Sequence, residues 1–126
     1  QYAPSANGDA KPLATIAGSA TGLNSPRGLA QDAAGDLLVT NQYGHTVTMY
    51  APGTNGNAFP KATLGGSSTM LSFPTGIDVD TQGRVYVANQ YDDDIHVYAP
   101  GAAGNSAPIA GGATQLSGRP RTPPPG

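Results

Sequence analysis

The sequence predicts an all-β protein built from four-stranded antiparallel units. Three observations carry that expectation: segments recur at a spacing of 48 residues, Gly and Pro number 18 and 12 among 126 residues, and the apolar residues gather in runs of strand length. The repeat is the strongest of the three. Tyr2-Ala3-Pro4 returns as Tyr50-Ala51-Pro52 and again as Tyr98-Ala99-Pro100, and Gly8 and Pro12 return as Gly56 and Pro60, then as Gly104 and Pro108, without a gap. Between these markers Pro26-x-Gly28-x-x-x-Asp32-x-x-Gly35 matches Pro74-x-Gly76-x-x-x-Asp80-x-x-Gly83, and Asn41-Gln42-Tyr43 matches Asn89-Gln90-Tyr91.

Each repeat divides into four strands bounded by Gly, Pro, Asn or Asp. In the first they fall at 28–31, 37–40, 46–50 and 61–64; in the second at 76–79, 85–88, 95–98 and, more weakly, 108–110. Gly35 and Gly83 sit where tight hairpins between the first two strands need positive φ. Asp32 and Asp80 recur at the same turn and are read as turn formers. A calcium loop through Asp78 and Asp80 is set aside, because Asp78 is replaced by Ala30 in the other repeat. Leu37, Leu38 and Val39 run together without alternating with polar residues, as in a strand covered on both faces. The longer Ala-Pro-Gly connections at 51–57 and 99–105 lead to the outermost strand, with Pro52 and Pro100 blocking strand continuation. A four-stranded unit covered on both faces describes a β-propeller blade.

The chain divides accordingly into an orphan outer strand of a preceding blade (1–18), a first blade (19–66), a second blade with a shortened outer strand (67–116) and a Pro-rich tail (117–126). A closed propeller takes about four to eight blades. With 126 residues at 48 per repeat the chain supplies about two and a half repeats, so closure requires other chains. The offset start suggests strand exchange, in which Leu13, Ala14, Thr15, Ile16 and Ala17 of one chain complete the last blade of another. Head-to-tail contacts of that kind close into a ring, such as a trimer with six blades, or propagate as a filament.

The run Val85-Tyr-Val-Ala-Asn-Gln-Tyr-Asp-Asp-Asp-Ile-His-Val-Tyr-Ala-Pro-Gly-Ala-Ala-Gly-Asn-Ser-Ala-Pro108, preceded by Pro74-x-Gly-Ile-Asp-Val-Asp80, resembles the NHL repeats of bacterial secreted and surface proteins. The resemblance covers residues 1–116. It implies propellers, commonly six-bladed, that bind protein, glycan or nucleic acid. It names no activity, because a propeller is a scaffold for unrelated functions.

Composition narrows the choice. Eight acidic residues, all Asp, stand against six scattered basic ones, for a net charge of −2, which argues against nucleic acid as a partner. No run of about 20 apolar residues offers a membrane helix, and no membrane insertion is expected. A chain opening on Gln1 rather than Met fits prior processing, and an extracellular or cell-surface location is the expectation.

In an antiparallel meander the connection into the first strand and the one between the second and third strands emerge on the same face. That places Arg27, Gln42, Tyr43 and His45 with Thr75, Gln90, Tyr91, Asp92 and Asp93 as candidate binding residues. A Gln amide beside a flat Tyr ring suits a glycan or peptide ligand. The alternative is that Tyr43 and Tyr91 cover a sheet edge while Asn41 and Asn89 cap a turn. Asp92-Asp93-Asp94 is read as a solvated hairpin tip, since its counterpart Gly44-His45-Thr46 is not acidic. His45 and His96 occupy different repeat positions and are read as surface histidines. They form no repeated ligand set, and no metal or cofactor is expected. With no Cys, no Glu and no Ser-centred nucleophile elbow, no catalytic residue is assigned.

These readings converge on a non-catalytic, NHL-like propeller subunit that associates with other copies of itself head-to-tail and presents loops for binding. The alternative is a piece of a longer propeller that binds protein or glycan. A metal-dependent propeller lyase or lactonase is a more distant third.

Overall fold

A computed structural model describes residues 1–111 of the chain. The expected end of the second repeat at 112–116 and the Pro-rich tail at 117–126 lie outside the described residues. Two four-stranded antiparallel sheets, each a meander in sequential order, form the fold. Sheet 1 comprises β1 (Pro26–Gln31), β2 (Leu37–Asn41), β3 (Thr46–Tyr50) and β4 (Ala62–Gly65); sheet 2 comprises β5 (Pro74–Val79), β6 (Val85–Asn89), β7 (Asp94–Tyr98) and β8 (Ala110–Gly111). A single 3₁₀ turn, Ser67–Thr69, connects them.

The first strand of each sheet begins two residues before its expected start, at Pro26 and Pro74. The ladder is irregular between Pro26 and Gly28 and between Pro74 and Ile77. Proline has no N–H for the ladder and is tolerated here as the first residue of an edge strand, an extension invisible to a reading based on apolar runs.

The turn chemistry repeats as well. Asp32 Oδ1 accepts the N–H groups of Ala34 (3.0 Å) and Asp36 (2.9 Å), and Asp80 Oδ1 accepts those of Gln82 (2.9 Å) and Arg84 (2.9 Å). Gly35 and Gly83 take φ of 89° and 87° to close these hairpins. Asp80 carries more than the turn: its Oδ2 accepts Arg84 Nε at 2.6 Å and the Tyr86 hydroxyl at 3.1 Å. Partial desolvation pushes its carboxyl up, but the hydrogen bonds from Arg84, Tyr86 and Gln82 outweigh that and hold it at about 2.

Buried polar hubs tie each sheet to the loop that precedes it. Asn41 Oδ1 accepts the Asn24 N–H (3.0 Å), while its Nδ2 donates to the hydroxyls of Thr46 (3.2 Å) and Thr48 (3.0 Å). Asn89 repeats the arrangement, accepting the Ser72 N–H (3.0 Å) and facing Asp94 Oδ1 (3.2 Å) and His96 Nδ1 (2.8 Å). Thr48 and His96 are thus the same repeat position filled by different partners for one amide. His96 is buried, not a surface residue, because the Asn89 amide supplies the hydrogen bond that its ring would otherwise take from water. The Tyr50 and Tyr98 hydroxyls donate to the carbonyls of Thr21 and Thr69, both at 2.6 Å.

The core lies between the sheets. Leu38, Val47 and Leu64 on one face of sheet 1 meet Val85, Val87 and Tyr98 on one face of sheet 2, with Leu71 between and Met49, Ile77, Val79 and Ala102 at the margin. Along β1 and β2, alternate residues turn to opposite faces, so Leu29, Leu37 and Val39 point away from this core.

The residues before β1 follow the same repeat register. Leu13 N–H donates to the Gln1 carbonyl at 2.7 Å, as Lys61 N–H does to Met49 and Ile109 N–H does to Val97, both also at 2.7 Å. Ile16 bridges Gly56 in parallel, as Leu64 bridges Gly104. Leu13 to Ala17 therefore lie beside sheet 1 as β4 lies beside sheet 2. At the edge of β7 the fourth strand is the chain's own Ala110–Gly111.

Candidate functional site

Two regions are candidates for a functional site: the loops at the junction of the sheets, and the outer face of sheet 1.

At the junction, the connection between β2 and β3 meets the connections into and out of sheet 2. Gln42, largely buried, donates from Nε2 to Gln90 Oε1 at 2.5 Å. The Phe73 N–H donates to His45 Nδ1 at 3.0 Å, which makes Nδ1 the acceptor nitrogen of that imidazole. Phe73 is the hub of an aromatic group. Its ring meets His45 at 4.5 Å, Tyr91 at 4.6 Å and Tyr43 at 6.0 Å between centroids, edge to face in every case. Deeper in the joint the buried Thr40 hydroxyl accepts the Gly28 N–H (2.8 Å) and donates to the Thr75 carbonyl (2.6 Å). A Cβ on Gly28 would run into that same carbonyl, so glycine is what lets the two inner strands approach.

Of the residues singled out from sequence, Gln42, Tyr43, His45, Gln90 and Tyr91 come together here. Thr75 contributes its backbone carbonyl to the joint. Tyr43 and Tyr91 stay well exposed, and Asp92 and Asp93 are exposed at the adjoining β6–β7 tip. Arg27 instead lines the groove on the outer face of sheet 1. Phe73, the centre of the cluster, escaped sequence reasoning because its repeat counterpart is Ser25. An aromatic residue directly before the recurring proline was the available signal.

The outer face of sheet 1 is an apolar groove. Leu23, Leu29, Leu37, Val39 and the Ile16 segment line it, with Tyr50 at its base. Leu29 is 64% exposed and Leu13 62% exposed.

Among the described residues no group of three or more His, Cys, Asp or Glu side chains converges on a point where an ion could sit, and no helix is long and apolar enough to cross a membrane. No family model matches the chain, and no curated protein matches it.

Proposed function

We propose that the two sheets are consecutive blades of an NHL-like propeller and that the chain acts as a non-catalytic subunit, associating head-to-tail with further copies into a ring or filament. The observation that carries this reading is a mismatch between repeat equivalents. Val87 and Val85 are 0% and 7% exposed because sheet 1 covers them, whereas their equivalents Val39 and Leu37 are only half-buried. Ile77 packs at the margin of the core, whereas its equivalent Leu29 is 64% exposed. Sheet 1 therefore carries an apolar face equivalent to the one that sheet 2 buries; among the described residues the segment through Gln1, Ala14 and Ile16 borders it and leaves Leu29 exposed. Contiguous exposed apolar surface of this kind marks an interface. The complementary surface is the outer face of sheet 2, where Tyr86, Ala88 and Ile95 share one side. A face of one end that fits the face of the other end makes a heterologous contact. The exposed Tyr43 and Tyr91 rings then recur around the loop face of the assembly as a platform for a protein or glycan ligand.

Sedimentation velocity over a range of concentrations tests the association. Particles larger than one copy, lost on Leu29→Asp, are expected. A monomer at every concentration overturns the reading.

A further inference from the structure

If copies associate head-to-tail, the atoms at the new joint follow from the joint inside the chain. Where the inner strands and their loops meet, three contacts made by side chains join sheet 1 to sheet 2: Thr40 hydroxyl to Thr75 carbonyl, Gln42 Nε2 to Gln90 Oε1, and Phe73 N–H to His45 Nδ1. Moving one repeat along, sheet 2 of one copy takes the role of sheet 1, sheet 1 of the next copy takes the role of sheet 2, and residues 1–15 of that next copy, which lie where the repeat places 97–111 of the first, give way at the joint. Ala88 then stands where Thr40 stood and donates nothing. Gln90 faces Gln42 of the next copy. Asp93 stands in the place of His45, and Ser25 of the next copy in the place of Phe73.

The backbone is already set for the last of these contacts. Asp93 and His45 have φ of 53° and 54°, and Ser25 and Phe73 have φ of 54° and 48°. The Ser25 carbonyl accepts the Gln42 N–H at 3.0 Å as the Phe73 carbonyl accepts that of Gln90 at 3.2 Å. The groups that would meet are also unengaged. The Asp93 carboxylate, the Ser25 N–H, the Gln90 Nε2 and the Gln42 Oε1 bond to no other described residue.

We infer that copies are pinned to one another by the Asp93 carboxylate accepting the Ser25 N–H of the next copy, beside a Gln90 amide that donates to Gln42 of that copy. The inference rests on the proposed head-to-tail association and specifies its contact. A carboxylate is a stronger acceptor of an amide N–H than an imidazole nitrogen, and it offers a second oxygen to the Ser25 hydroxyl. It also fixes the order of blades. The aromatic pairing of His45 with Phe73 belongs inside a chain, and the pairing of Asp93 with Ser25 belongs between chains. The Gln contacts form a continuous relay, because each amide accepts on its oxygen from one side and donates from its nitrogen to the other.

The test uses the full chain and two substitutions that both tolerate positive φ, Asp93→Gly and Asp93→Asn. Dissociation constants come from sedimentation equilibrium, with thermal denaturation of each variant at a concentration where it is monomeric. Asp93→Gly is expected to weaken association on the order of tenfold or more, the loss of a charge-assisted hydrogen bond. Asp93→Asn keeps an acceptor and is expected to stay within about threefold of the parent. Both monomers should melt together with the parent, since the Asp93 side chain bonds to no described residue of its own chain. Association unchanged by Asp93→Gly overturns the pin while leaving head-to-tail assembly standing. Absence of association in the parent chain overturns both.

Discussion

The side-chain amides of Gln42 and Gln90, residues at the same position in successive repeats, are hydrogen-bonded to each other at 2.5 Å across the junction of the two sheets. Their bond is not a local turn contact, since 48 residues separate them. It is a direct link between structural equivalents, and it converts a sequence period into a measurable coupling.

That coupling is expected to be about 0.5–1.5 kcal/mol, the net value of a neutral hydrogen bond. Gln42→Ala, Gln90→Ala and the double substitution, compared by urea denaturation, form the cycle that reads it. Gln42→Ala alone should cost more than Gln90→Ala, because Gln42 is the buried partner and also loses packing. Additive effects of the two single changes would show that the bond contributes nothing in solution.

The buried tyrosines make a second, paired expectation. Tyr50→Phe and Tyr98→Phe each remove one hydroxyl that donates to a loop carbonyl and leave that carbonyl buried, at about 1–3 kcal/mol apiece. Burial, assisted by the nearby Asp94 charge, pushes the Tyr98 hydroxyl above its ordinary range. The unfolded chain therefore releases this proton first. The contribution is fully present below the ordinary tyrosine value of about 10 and declines as pH rises beyond it. Alkaline melting temperatures should fall less steeply in Tyr98→Phe than in the parent.

Asp80 supplies the acid counterpart. Its carboxyl is held at about 2, below the unfolded value of about 3.9. Such a group stabilises the fold above the unfolded value, and the contribution fades as pH falls from about 4 towards about 2. Asp80→Asn should lower the melting temperature at pH 6 and flatten its decline between pH 4 and pH 2. Parallel melting curves for parent and variant across that window would show that the Arg84 and Tyr86 contacts do not persist in solution.

The division into two four-stranded meanders was legible because Gly35, Gly83, Asp32 and Asp80 recur at turns that demand them, and because the apolar runs between them have strand length. The grouping of Gln42, Tyr43 and His45 with Gln90 and Tyr91 was legible from meander geometry. Other features lay beyond reach for physical reasons. Phe73 stands at a position filled by Ser in the other repeat, so comparison of repeats averaged it away. His96 is buried only because Asn89 faces it, a contact between strands that no local pattern announces. Arg27 falls within the β1 bulge region, where alternation ceases to report which face a side chain takes.

Repeat equivalence also predicts opposite responses from matching glycines. A Cβ at Gly28 would collide with the Thr75 carbonyl and the Thr40 hydroxyl, whereas the nearest atom to a Cβ at Gly76 is the Ala88 Cβ at 3.8 Å. Gly28→Ala should destabilise the isolated chain by about 1–3 kcal/mol through forced separation of the inner strands. Gly76→Ala should leave it nearly unchanged. If sheet 2 docks on another copy, however, Gly76 takes the place of Gly28 at the new joint, and Gly76→Ala should weaken association without lowering the melting temperature of the monomer.

Leu29 and Ile77 carry the same logic to the apolar faces. Ile77 sits at the margin of the core, so Ile77→Asp places a charge against Val87 and the sheet 1 surface and should cost several kcal/mol, enough to unfold much of the population. Leu29 is its equivalent on the outer face, 64% exposed, and Leu29→Asp should change monomer stability by no more than about 0.5 kcal/mol. The substitution should instead abolish association, because the same charge would then be buried beneath the next copy. Calorimetry of both variants beside sedimentation of Leu29→Asp separates the cases. A destabilised Leu29→Asp monomer would mean that something within the chain already covers this face, and the groove would lose its standing as an interface.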